Sequence, residues 1–111
     1  MNEQEIQKEI ESITNQIVGR YKPQKILLFG SAAWGKITKD SDLDFLIIKD
    51  DVPFYGIDRM RELDHMIDYS IPVDFLVYKP EEFEERLAMG DPFLSMINKR
   101  GKILYGGPEN N

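Results

Sequence analysis

Isoleucine recurs in the first segment at Ile6, Ile10, Ile13 and Ile17, spacings that line up along one face of a helix. The pattern predicts an amphipathic helix over 2–18, with Asn2 and Glu5 as a capping box and Gly19 just past its end. The apolar run KILLF (25–29), stopped by Gly30, is short enough to be a buried strand. SAAWGK then reads as a turn and one or two turns of helix, and DLDFLIIK (42–49) as a second strand. Met60, Leu63 and Ile67 mark the inner face of a helix over 54–68. VDFLVY (73–78), behind Pro72, is the third strand. PEEFEERLA (80–88) opens on a proline suited to a first helical turn and aligns Phe83 with Leu87; its acids read as a solvated face. A further short helix covers 91–100, with Asp91 as N-cap, Pro92 at its first position and Gly101 at its end. KILY (102–105) adds an edge strand. Met89 and Met96 read as core, with a partner-binding face on the C-terminal helix as the alternative.

Strands alternating with helices predict one α/β (or α+β) domain over 1–105, followed by a flexible tail over 106–111. The chain has 111 residues, room for one hydrophobic core. No apolar run approaches the roughly 18 residues of a membrane span, and MNEQEIQKEIESI is too acidic for a signal peptide. The absence of cysteine excludes disulfides and thiolate metal sites and fits a cytoplasmic protein. The single histidine, His65, reads as a surface residue and makes an imidazole zinc site improbable. A formal net charge of −6 without a basic stripe argues against a grip on long nucleic acid. It favours a small ligand, a polyanion brought in with metal ions, or a basic protein partner.

Asp42 and Asp44 open the second strand on one face, opposite Phe45 and Ile47. Two like charges ~4 Å apart repel by ~4 kcal/mol at an effective dielectric of ~20, so the pair calls for a cation or a raised pKa. An oxygen-only donor set suits Mg²⁺, Mn²⁺ or Ca²⁺. A calcium loop starting at Asp40 fails, because Phe45 stands where glycine is required and Asp51 where glutamate is. A phosphatase with an aspartate nucleophile fails as well: its acids would follow the apolar strand, and here they lead it. A two-metal phosphoryl-transfer site needs a third carboxylate, and Asp74 supplies one if its strand lies beside 42–48. The competing reading of Asp74 is a solvent-facing residue on an edge strand. Gly30 and Ser31 complete the pattern, since a glycine turn lets backbone amides and a hydroxyl approach phosphate oxygens.

A Gly-Ser pair, ten residues, Asp-Leu-Asp and a later strand acid resemble the polymerase-beta-like nucleotidyltransferase superfamily, and LLFGSAAWGKITKDSDLDFLII is similar to its minimal (MNT) branch. The resemblance implies a small mixed sheet flanked by helices, as in a nucleotidyltransferase palm. It implies that Gly30 and Ser31 hold the triphosphate of ATP or another NTP. Asp42, Asp44 and Asp74 would ligate two Mg²⁺ (or Mn²⁺), with Asp74 also helping to activate the attacking hydroxyl. Many members carry arginine where this chain has Trp34. Lys36 or Lys39 would replace that cation, though both read equally as solvated lysines; Trp34 is either a packing residue or a surface anchor. The chain's size leaves no room for the acceptor-binding domain of larger relatives. The resemblance therefore implies an acceptor on a HEPN-type helical toxin, with this chain as antitoxin by AMP transfer. The alternative is a catalytically idle module that neutralises its partner by contact. An oligomer is compatible with either.

Overall fold

The computed structural model describes residues 2–35 and 42–107. Helix α1 (Glu3–Gln16) starts at the expected capping box: Asn2 Oδ1 accepts from Glu5 N at 2.8 Å, and Asn2 N donates to Glu5 Oε1 at 3.2 Å. All four isoleucines of the stripe are buried. The helix does not stop at Gly19. It runs into a wide π-helical turn, Ile17–Tyr21, and the left-handed residue that ends it is Lys22 (φ 56°). Tyr21 lies four residues beyond Ile17 and is itself buried, which outweighs the helix penalty of ~1 kcal/mol at Gly19.

Strand β1 (Lys25–Phe29) leads to a single helical turn, α2 (Ser31–Trp34), and then β2 (Leu43–Ile48) follows residues outside the described ones. Helix α3 (Gly56–Met66) is shorter than expected at both ends. At its start, Pro53 and Phe54 keep their carbonyls turned toward Arg59, which holds the backbone out of the helix. At its end, Ile67 is extended: its N–H donates to Asp64 O at 3.4 Å and its side chain is buried. Strand β3 (Val73–Tyr78), helices α4 (Pro80–Ala88) and α5 (Pro92–Arg100) and strand β4 (Lys102–Tyr105) match their predicted spans. Asp91 Oδ1 accepts from Phe93 N and Leu94 N, so the expected N-cap of α5 is formed.

The strands form one mixed sheet in the order β3-β2-β1-β4, with β2 and β3 parallel and the other pairs antiparallel. Alternation sorts β2 cleanly: Leu43, Phe45 and Ile47 pack with α1 and α3, whereas Leu46 and Ile48 pack with α4 and α5. Asp44 shares parity with Leu46 and Ile48, and Asp74 with Leu76 and Tyr78. Both acids therefore belong to the α4/α5 face. Phe93 meets Phe29 edge-on at 5.7 Å and helps seat α5 on that face. Two expectations fail here. Met89 is 81% exposed rather than core, and Met96 is also on the surface. The acidic face of α4 is not wholly solvated, because Glu82 pairs with buried Arg59 at 2.7 Å.

Candidate active site

Three strand ends meet at one end of the sheet. Phe29, the last residue of β1, pairs with Asp44 near the start of β2, and Asp44 pairs with Asp74 near the start of β3. Gly30 is the next residue after Phe29. Its φ of 76° lies in the region that favours glycine, and an added Cβ would collide with Asp44 Oδ2. The glycine turn is thus packed directly against one of the two aspartates. Gly30→Ala combines backbone strain with eviction of that carboxylate; a loss of about 1–3 kcal/mol is expected in urea unfolding, with loss of activity.

Asp44 is half-buried, while Asp42 and Asp74 are exposed. Burial, then the charge of Asp74, then that of Asp42, and a hydrogen bond with Asp74 push the Asp44 carboxyl up to about 6 from its ordinary 3.8. Asp74 is exposed and on an edge strand, and it also stands directly beside Asp44 in the sheet register. The folded protein holds the Asp44 proton to higher pH than the unfolded chain does. Stability from this group is therefore present below 3.8 and is lost as pH rises toward about 6. In metal-free buffer, the Tm of Asp44→Asn should match wild type at the acid end of that window and exceed it above. A constant Tm difference across the window would contradict this.

Among the described residues no group of three acids or imidazoles is placed to hold a metal ion. The acids nonetheless fit a divalent cation. They are oxygen donors only, with the charges of Asp74 and Asp42 both acting on Asp44, and Mg²⁺ is typically held by one or two carboxylates plus substrate phosphates. Opposite them, Gly30 O accepts from Ala33 N at 3.0 Å and Trp34 N at 3.2 Å. The amides of Ser31 and Ala32, earlier in the turn, have no acceptor among the described residues. Lys36 and Lys39, the expected cations of this loop, lie outside the described residues.

The chain matches the nucleotidyltransferase domain family over residues 7–105. It belongs to that family. This nucleotidyltransferase is also 33% identical over 106 residues to a protein of Methanocaldococcus jannaschii named "Putative protein adenylyltransferase", covering 95% of this chain and 100% of that one. No solved structure matches it. Among the described residues of the nucleotidyltransferase no helix is long and apolar enough to cross a membrane.

The sequence reading passed over two residues, one beside this site and one at the far end of β3. The Arg100 guanidinium lies 5.1 Å from the centre of the Trp34 ring, which is half-buried and packs against the α4/α5 cluster. Trp34 is thus a packing residue that also carries a cation. The β1–β4 pairing of Leu28 with Lys102 brings the end of α5 alongside Gly30. Arg59 is the second. It is buried, and all five of its N–H donors are used: on Pro53 O, Phe54 O, Val77 O and both Glu82 oxygens. The signal for Arg59 was its position four residues before Leu63 on the inner face of α3.

Proposed function

We propose that this nucleotidyltransferase moves AMP from ATP to a hydroxyl on a partner protein. The observation that carries the reading is the in-register pair Asp44–Asp74 with the Gly30 backbone against it. The amides of Ser31 and Ala32, the Ser31 hydroxyl and Lys36 would hold the triphosphate, and Arg100, seated on Trp34, would add positive charge. Divalent cations, Mg²⁺ or Mn²⁺, held by Asp42, Asp44 and Asp74 would neutralise charge on the attacking and leaving oxygens. The acceptor oxygen bonds to the α-phosphorus, the bond from that phosphorus to the bridging oxygen breaks, and pyrophosphate leaves with the electron pair. Asp74, exposed beside Asp44, takes the hydroxyl proton.

A protein acceptor is supported by the name of the relative whose whole length this chain covers. The resemblance extends this to a HEPN-type toxin neutralised by the modification. The test is to incubate the protein with Mg²⁺ and ATP labelled at the α-phosphate in a lysate of its source cells. A labelled protein band that vanishes with Asp44→Asn is expected. If no band appears while the partner is still neutralised, and Asp44→Asn neutralises it equally, the chain works by contact alone.

A further inference from the structure

The end of β1 separates two opposite charges. On one side, in β2 and β3, stand Asp44 and Asp74. On the other side β4 pairs with β1 through Lys102 and Leu28, and a Cβ added to Gly101 would stand 3.3 Å from Leu28 O. That antiparallel register brings Arg100 alongside Gly30. Lys99, Arg100 and Lys102 set three cations within four residues of a chain whose net charge is −6. Strand β4 lies two places from β2 in the sheet, a separation of ~10 Å. That gap suits a linear polyanion with metal-binding acids at one end and a fixed cation at the other.

The cation is held on a built platform. Trp34 N donates to Gly30 O at 3.2 Å, which ties the tryptophan to the glycine turn. Ala32 and Ala33 pack on the α1/α3 layer and Trp34 on the α4/α5 layer, so the turn is seated on both sides of the sheet. Arg100 follows buried Ile97 by three residues, close to the side of α5 that packs on the sheet. Its guanidinium then lies over the Trp34 ring at 5.1 Å. Stacking on a ring face consumes none of the five N–H donors, and it orients the planar fork before any ligand arrives.

We propose that Arg100 selects the length of the donor's phosphate chain by binding its terminal phosphate, with Trp34 as the positioning residue that holds it; the inference rests on the transfer reading above. The donor lies along the end of the sheet, its α-phosphorus at the acids and its terminal phosphate at Arg100. When the bond from the α-phosphorus to the bridging oxygen breaks, the electron pair passes to pyrophosphate, whose far oxygens Arg100 already holds. A diphosphate with its α-phosphorus at the acids ends short of Arg100 and gains nothing from it. Selection between a nucleoside triphosphate and a diphosphate therefore rests on one side chain and the ring beneath it.

The test titrates the protein, in Mg²⁺, with ATP, ADP and inorganic tripolyphosphate, read by calorimetry. Trp34 is the only tryptophan, so its emission reports on the Arg100 stack directly and should change with tripolyphosphate. Arg100→Ala should weaken ATP and tripolyphosphate by about tenfold or more, the usual worth of a charge-assisted contact, and leave ADP affinity unchanged. Arg100→Lys should recover only part of the loss, and Trp34→Leu, which keeps an apolar packing group, should lose as much as Arg100→Ala. Arg100 is exposed, so its variants should fold and melt near wild type. Equal binding of tripolyphosphate by wild type and Arg100→Ala would overturn the proposal. Equal losses for ATP and ADP would do so too, since Arg100 would then only support the corner. Full affinity in Trp34→Leu would remove the positioning role. Arg100-dependent binding without any labelled transfer would leave the phosphate site standing and sink the transfer reading. Transfer that Arg100→Ala leaves at the wild-type KM for ATP would do the reverse.

Discussion

Asp44→Asn is expected to lower nucleotidyl transfer by about 10³-fold or more, and yet to melt higher than wild type in metal-free buffer at neutral pH. Both effects have one cause. Asp44 is half-buried, hydrogen-bonded to Asp74 and repelled by Asp74 and Asp42, so its charged form is disfavoured in the apo protein. An amide of the same shape removes the repulsion and keeps the contact with Gly30. It also removes a ligand for the ion that stabilises charge in the transition state, an effect of several kcal/mol, where ~1.4 kcal/mol is tenfold in rate. Steady-state transfer from labelled ATP and a thermal melt on the same preparations check the pair. Loss of activity accompanied by a lower Tm would mean that Asp44 is structural. Added Mg²⁺ should raise the Tm of wild type more than that of the variant.

Arg59→Ala should destabilise the protein by about 3–5 kcal/mol, the usual consequence of breaking a buried ion pair, out of a total of about 5–15 kcal/mol for a domain. Arg59 ties the loop before α3, strand β3 and helix α4 together through its five hydrogen bonds. Its removal leaves Glu82, whose carboxyl the guanidinium holds down at about 2, with only the Lys79 amide, and leaves three backbone carbonyls without a donor. The double change Arg59→Met with Glu82→Leu should recover part of the loss, because it leaves no unpaired charge behind. Urea unfolding of the three variants decides it. An Arg59→Ala penalty under ~1 kcal/mol would mean that the pair is as weak as an exposed one.

Reading the chain alone succeeded where local chemistry dictates the outcome. The isoleucine stripe, the Asn2–Glu5 box and the Asp91 cap located helices to within a residue or two at most ends, since each is a short-range pattern. The same holds for the apolar strands, whose period of two also placed Asp44 opposite Phe45. The errors share a different origin. Gly19 was read as a stop because glycine usually is one, but burial of Tyr21 kept the turn going. Met89 was read as core because apolarity does not reveal whether a neighbour is there to cover it.

The sequence by itself determined the family pattern: a glycine turn, two acids at the head of a strand and a third acid in a later one. Tertiary structure alone decided that Asp74 stands beside Asp44, because strand order and register are settled by pairing across the sheet, which no local spacing encodes. It decided that Gly30 touches Asp44, that Trp34 carries Arg100 and that Arg59 is buried. Each of these joins residues far apart in the chain, and contacts of that kind exist only once the sheet and its two helical layers have closed.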